Sequence, residues 1–148
     1  MYTFSKNSYN KLSTCHDDLI KIFELVIKRS NVDFGISEGH RTIERQNELY
    51  RQGKSKIDGV TRKGKHNVKP SEALDVYVYH SVLETRRKII YSREHLSYIA
   101  GLADACANEL FEKGEIKHKI RWGGNWDSDG VIGLDQSFDD FPHFELIK

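Results

Sequence analysis

The segment Ala73-Leu74-Asp75-Val76-Tyr77-Val78-Tyr79 carries the strongest strand pattern in this 148-residue sequence, because valine and tyrosine favour extended backbone. An aspartate inside so apolar a run is unusual, since burying an unpaired carboxylate is costly. We therefore expect Asp75 either to pair with an arginine or lysine at the strand edge or to bind a metal ion.

Helices and further strands are predicted on both sides of this segment. Helices are expected near residues 13–29, 42–52 and 92–110, with Ser13 or Thr14, Thr42 and Ser92 as their caps. Strands are expected at residues 33–38, 73–79, 119–122 and 142–147. This mixed order predicts an α+β fold in which helices pack on a small, mainly antiparallel sheet.

Composition restricts the class of protein. Apolar residues make up 38% of the chain and charged residues 30%, which suits one globular domain over residues 1–148. Lysine and arginine (23) balance aspartate and glutamate (22), so the net charge gives no general attraction to nucleic acid. No stretch is apolar enough to span a bilayer, and the N-terminal residues lack the apolar core of a signal peptide. We expect a monomer, synthesised in the cytoplasm, that binds neither nucleic acid nor a membrane.

The segment at residues 53–71 is predicted to be a long surface loop before the central strand. It is rich in lysine, arginine and glycine, and long loops are often functional. Its basic residues are Lys54, Lys56, Arg62, Lys63 and Lys65. A solvated loop is the favoured interpretation, and a local basic patch remains open.

Three residues have the chemistry of ligands for a hydrolytic zinc site, which needs three nitrogen or oxygen ligands and one open position. His66 lies just before the central strand, and Asp75 lies within it. His143 lies in the last strand, three residues after Asp140 and two before Glu145. Spacing alone leaves each of them open between metal binding and a structural role.

Other candidates have two interpretations each. Arg41 follows Gly39 at a strand-to-helix turn and is either an oxyanion donor or, as favoured by residue type alone, part of an ion pair. His40 beside it either contacts substrate or, as favoured, is structural. Trp122 and Trp126 either stack on sugar rings or complete the core beside a tight turn, with equal weight. The remaining histidines are predicted to be solvated: His16, His80, His95 and His118.

Several common catalytic motifs are absent from the sequence. There is no glycine-rich phosphate loop, no GxSxG elbow and no HExxH helix. Cys15 and Cys106 form no CxxC pair and are expected to be buried free thiols. The residues by themselves therefore indicate no more than a possible mononuclear metal hydrolase.

Five blocks in order carry a more specific signal. They are residues 4–8 (FSKNS), 38–42 (EGHRT), 66–75 (HNVKPSEALD), 121–127 (RWGGNWD) and 140–146 (DFPHFEL). Together they resemble the zinc peptidases that include D-alanyl-D-alanine carboxypeptidases and L-alanyl-D-glutamate endopeptidases, many of them phage endolysins. The resemblance extends over nearly the whole chain.

The resemblance implies a role for each matching residue. His66, Asp75 and His143 match the ligands of one zinc ion per chain. Asp140 matches the acid that activates the attacking water, and Arg41 matches the arginine that polarises the scissile carbonyl. Weaker expectations, for substrate contact or support of the ligands, fall on His40, Glu145, Trp122 and Trp126.

Two departures from the family pattern concern the first ligand. Gly64 stands where the family commonly has serine, which removes one side-chain hydrogen bond to substrate or ligand. The segment between His66 and Asp75 is two residues longer than the common form, and Pro70-Ser71 is expected to form a turn there.

The resulting functional prediction is a peptidoglycan endopeptidase that cuts a stem peptide at its L-Ala–D-Glu bond. It would act in the periplasm or cell wall after release through a membrane lesion. A D-Ala-D-Ala carboxypeptidase is the alternative within the same chemistry. An inactive, zinc-stabilised wall-binding module is the alternative outside catalysis.

Overall fold

The computed structural model describes residues 1–134 and 139–148, which form five helices and four strands. The helices are α1 (Lys6–Leu12), α2 (Asp17–Arg29), α3 (Ile43–Arg51), α4 (Leu83–Ile89) and α5 (Arg93–Glu112). The strands are β1 (Phe34–Glu38), β2 (Ala73–Val78), β3 (Lys119–Gly123) and β4 (Asp140–Ile147). A short 3₁₀ turn, Lys65–Asn67, precedes β2.

The strands form one antiparallel sheet in the order β1-β2-β4-β3. This arrangement confirms the predicted α+β class. The register aligns Glu38 of β1 with Asp75 of β2, and Asp75 with His143 of β4. Because side chains at paired positions point to the same face, the register places three polar residues in one row across the sheet.

The opposite face of the sheet forms the core with α2 and α5. Its fully buried side chains include Leu74, Val76, Phe144 and Leu146. Burying each such side chain contributes about 1.5–3 kcal/mol, so this face fixes the orientation of β2 and β4. The alternation along each strand then directs Asp75, His143 and Glu145 away from the core.

The start of the chain differs from the sequence prediction. Two helices are present instead of one, and neither Ser13 nor Thr14 caps the second. Ser13 ends α1, while Nδ1 of His16 accepts the backbone N–H of Asp18 and caps α2. The prediction was wrong because an unprotonated imidazole nitrogen serves as a capping acceptor in place of a hydroxyl. The caps predicted for α3 and α5, Thr42 and Ser92, are confirmed.

Helix α4 was not predicted because it has no buried residue and no side-chain cap. An amphipathic stripe is the signal by which helices are recognised, and this helix lacks one. Cys15 and Cys106 are both free and buried, as expected. Among the described residues, no helix is long and apolar enough to cross a bilayer.

A second polar cluster corrects the prediction that His16 and His118 are solvated. Both are half-buried, and their rings pack edge to face with centroids 4.9 Å apart. Oδ2 of Asp18 accepts Nδ1–H of His118 at 2.7 Å and the backbone N–H groups of Lys117 and His118. The cluster therefore ties the start of α2 to the residues that lead into β3.

Candidate active site

Three side chains meet on the open face of the sheet. Nε2 of His66 lies 3.3 Å from Nδ1 of His143 and 3.3 Å from Oδ1 of Asp75. The third side of the triangle, from Asp75 Oδ1 to His143 Nδ1, is 3.2 Å. Donors around a tetrahedral zinc ion, at bond lengths of about 2.0–2.2 Å, lie about 3.3 Å apart. Two imidazoles and one carboxylate at this spacing fit such an ion.

Hydrogen bonds on the far side of each imidazole orient the nitrogen that faces the triangle. Nδ1–H of His66 donates to the carbonyl of Gly39 at 2.8 Å, which leaves Nε2 with its lone pair toward the triangle. Nε2–H of His143 donates to Glu145 at 2.9 Å, which leaves Nδ1 facing the triangle. Hydrogen bonds of this kind commonly fix the tautomer of metal-binding histidines.

Glu145 is held in turn by Arg121, whose Nη2 donates to it at 2.7 Å. Burial alone would raise the pKa of Glu145, but the hydrogen bonds from His143 and Arg121 lower that pKa to about 2. The carboxylate is therefore ionised and supports His143 from behind. The role of Glu145 as support of a metal ligand stays a prediction.

The charges of the cluster favour a bound cation. Burial would lower the pKa of His143, yet hydrogen bonds to Asp75 and Glu145 raise it to about 10. Burial would likewise raise the pKa of Asp75, and the two histidines hold it well below its usual range. The negative potential that stabilises a protonated imidazole also favours a divalent cation.

Asp140 lies beside the triangle. Its Oδ2 is 4.0 Å from Nδ1 of His143, and 35% of its side chain is exposed. Burial and the neighbouring Asp75 raise the pKa of Asp140 to about 6. The β3–β4 register shifts at Gly123, which pairs with Asp140, and a Cβ on Gly123 would collide with the backbone of Asp140. The bulge thus requires glycine opposite this carboxylate.

Arg41 is anchored by residues that the sequence analysis did not single out. Its Nε and Nη2 donate to Glu38 at 2.7 and 2.6 Å, and its Nη1 donates to Gln46 at 2.9 Å. The guanidinium also lies 3.7 Å from Asp75. The ion pair considered from residue type is therefore present. The spacing of Glu38 and Arg41, and the position of Glu38 at the end of its strand, were the available signals.

The loop around His66 fixes the position of this candidate ligand. The backbone N–H of Arg41 donates to the carbonyl of His66 at 2.8 Å, and Asn67 returns a side-chain hydrogen bond to Arg41. A Cβ on Gly64 would meet its nearest neighbour at an ordinary 3.4 Å, so glycine here is not a steric requirement. Ser71, in the longer segment, exchanges backbone hydrogen bonds with Thr14 and His16.

An open cleft of about 870 Å³ contains the triangle, and Trp126 is among its lining residues. The ring of Trp126 lies 5.3 Å from that of His143. Trp122 instead packs on Phe141 and donates its indole N–H to the carbonyl of Phe141 at 2.6 Å. His40 also lies outside the lining, and its backbone N–H donates to Thr14.

An open cleft on an antiparallel sheet thus contains a histidine–aspartate–histidine cluster able to hold a metal ion, a site of the kind that metal-dependent hydrolases use. Residues 1–147 match the sequence profile of the phage L-alanyl-D-glutamate peptidase family, and the chain belongs to that family. The resemblance inferred from the five sequence blocks is thereby confirmed.

A solved structure agrees with this assignment. The crystal structure of the L-Ala D-Glu endopeptidase ChiX of Serratia marcescens is similar to this chain, with a TM-score of 0.73 and 25% sequence identity. The similarity covers 98% of this chain and 90% of the Serratia protein. No curated protein sequence matches the chain significantly.

Proposed function

We propose that this chain is a zinc-dependent peptidoglycan endopeptidase that hydrolyses the L-Ala–D-Glu bond of the stem peptide. Membership of the phage L-alanyl-D-glutamate peptidase family supports the bond specificity over that of a D-Ala-D-Ala carboxypeptidase. The observation that carries the proposal is the triangle of His66, Asp75 and His143 in an open cleft. An open cleft suits a substrate that continues on both sides of the bond.

The three residues of the triangle would hold the metal. Zinc would supply a Lewis acid that makes water more acidic and polarises a carbonyl. Gly39 and Glu145 keep the imidazoles oriented for this purpose, which lowers the reorganisation needed on binding.

Asp140 is the proposed general base. Its carboxylate borders the triangle without being one of the three mutually close ligand groups. In the proposed reaction it takes a proton from the attacking water at a carboxylate oxygen. It then delivers that proton to the amine nitrogen of the departing D-glutamate. An inactive wall-binding module would not require this residue.

Arg41 is proposed to bind the scissile carbonyl oxygen as negative charge develops there. Glu38 and Gln46 engage three of its N–H groups, and a planar guanidinium carries five. The ion pair with Glu38 and the role at the oxyanion are therefore compatible, because the pair fixes the orientation of the remaining donors.

Digestion of purified peptidoglycan tests the proposal. Zinc-loaded protein should release new C-terminal L-alanine and new N-terminal D-glutamate, identified by mass spectrometry. His66→Ala and His143→Ala should lose both zinc and cleavage, whereas His80→Ala, an exposed histidine outside the cleft, should keep both. Release of free D-alanine alone would instead establish a carboxypeptidase.

Membership of the family indicates that the protein acts on the cell wall. Action after release from the cytoplasm, a monomeric state and a single domain over residues 1–148 stay predictions. Sedimentation analysis of the zinc-loaded protein would measure the oligomeric state.

A further inference from the structure

One side of the cleft is lined by basic residues, which we call the basic side. It consists of α3 and the loop that follows it and contains Arg45, Lys54, Lys56, Arg62, Lys63 and Lys65. The chain as a whole has a net charge of only +1, so this concentration is local. The sequence alone is compatible with a solvated loop or a basic patch, and in the structure the basic residues line the same cleft as the triangle.

The positive charge of the basic side is only partly neutralised. Lys65 pairs with Glu72 at 3.2 Å, and Arg45 pairs with Glu48 at 3.6 Å. The acidic residues at the floor of the cleft are engaged elsewhere, in the ion pairs and hydrogen bonds described above. Arg62 and Lys63 make no ion pair with an acidic residue in the described ranges 1–134 and 139–148. The cleft therefore combines an acidic floor with a positively charged side.

Hydrogen bonds hold this loop in place. The amide of Gln46, a residue only 2% exposed, donates to Ser55 at 2.8 Å and to the carbonyl of Ile57 at 2.7 Å. The same side chain accepts from Arg41, so it joins the loop to the active site. Asp58 accepts three backbone N–H groups, including that of Arg62 at 3.1 Å. A series of hydrogen bonds thus connects the loop that carries Arg62 and Lys63, through Gln46, to Arg41.

The substrate has a charge asymmetry of its own. Glutamate has two carboxyl groups, and the stem can continue through at most one of them. At least one free carboxylate therefore lies close to the scissile nitrogen on the glutamate side, unless it is amidated. The alanine side chain carries no charge. The basic side, where Arg62 and Lys63 have no acidic ion-pair partner among the described residues, would attract this anionic group.

We propose that Arg62 and Lys63 bind the free carboxylate of the glutamate residue and so determine the direction in which the peptide lies in the cleft. The glutamate side then lies along the loop, and the alanine side lies toward Trp126. This inference rests on the proposed function, which it extends to substrate orientation and to a preference for the acid over the amidated stem.

Two peptides that differ at one group test the proposal. Both contain the L-Ala–D-Glu bond, and the free glutamate carboxylate of one is a carboxamide in the other. We expect kcat/KM for the acid to exceed that for the amide by about tenfold, the equivalent of two exposed ion pairs in the upper part of their usual range. The double variant Arg62→Gln/Lys63→Gln should lose this preference and leave the amide unaffected.

Two control proteins separate the local interaction from general effects. Lys28→Gln/Arg87→Gln removes the same charge from exposed positions on α2 and α4 and should retain the preference. Arg62→Lys/Lys63→Arg keeps both charges and should also retain most of it. Equal losses for acid and amide in the Gln variant, or an unchanged preference, would overturn the proposal.

A binding measurement distinguishes this proposal from the proposed function. Calorimetry would compare the Kd of the glutamate-side fragment in its acid and amide forms, for wild type and for the Gln variant. If neither peptide is cut but the variant loses the tighter binding of the acid, the proposed function fails and the carboxylate site stands. If cleavage occurs without any acid preference in kcat/KM or Kd, the site fails alone. If both are absent, both fail.

Discussion

Replacing Asp140 by asparagine should separate catalysis from metal binding. The substitution keeps the shape and hydrogen-bonding capacity of the side chain but removes its ability to accept a proton from water at neutral pH. The loss of a general base usually lowers a rate by about 10²–10⁴. We expect kcat on a stem peptide to fall by a factor in this range.

The same substitution should leave the zinc content and the Tm of the protein close to their wild-type values. Oδ2 of Asp140 lies 4.0 Å from His143, whereas the three proposed ligands are separated by 3.2–3.3 Å, so zinc content should remain near one ion per chain. Burial and repulsion by Asp75 both raise the pKa of Asp140, so loss of its charge should leave Tm unchanged or slightly higher. Metal analysis, thermal unfolding and steady-state kinetics measure the three quantities.

Asp139→Asn is the matched control. This neighbouring carboxylate accepts a hydrogen bond from Arg93 at 3.1 Å, and its replacement should leave kcat within about twofold because it has no proposed part in proton transfer. A parallel fall in zinc and activity for Asp140→Asn would make Asp140 a ligand. Retention of full activity would refute the reasoning and direct attention to Glu145.

Three further substitutions address the surrounding contacts. Arg41→Ala should lower kcat by about 10²–10³ while zinc is retained. An unchanged kcat would show that Arg41 serves only in its ion pair with Glu38. Glu145→Gln should weaken zinc affinity by about 10–100-fold in a chelator competition, because His143 loses its charged acceptor; unchanged affinity would contradict that role. Asp18→Asn should lower the free energy of unfolding by about 1–3 kcal/mol in denaturant titrations, with activity of the folded protein unchanged. Burial would raise the pKa of Asp18, but hydrogen bonds, chiefly with His118, lower it below the unfolded value near 3.8. The ionised carboxylate therefore stabilises the fold fully above pH 3.8, and this stabilisation is lost as the pH falls through the lower, folded-state pKa. A pH-independent difference between wild type and Asp18→Asn would argue against it.

Much of the fold was predictable because its signals are local. Each predicted strand overlaps an observed strand, and the hydroxyl caps of α3 and α5 are correct. These features depend on backbone propensities and on groups a few residues apart. The two helices that escaped prediction, α1 and α4, lack an amphipathic stripe of useful length, and α4 buries no residue at all.

The identities of the candidate ligands were likewise accessible from the sequence, because the spaced blocks around His66, Asp75 and His143 carry the family resemblance. What the sequence could not supply is the orientation of those residues. The contact between His66 and Gly39 spans 27 residues, and that between His143 and Asp75 spans 68. The contact between His143 and Asp75 depends on the register of β2 and β4, and that between His66 and Gly39 on how the turn before β2 packs against the residue after β1.

By itself, then, the sequence determined the α+β class, the strands and the residues able to bind a metal, since propensity, periodicity and side-chain chemistry are local. Only the tertiary structure decided which imidazole nitrogen faces the triangle, that Trp126 and not Trp122 lines the cleft, and that the basic loop faces the active site. The physical reason is distance along the chain. These features arise from packing between segments brought together by burial of the opposite face of the sheet.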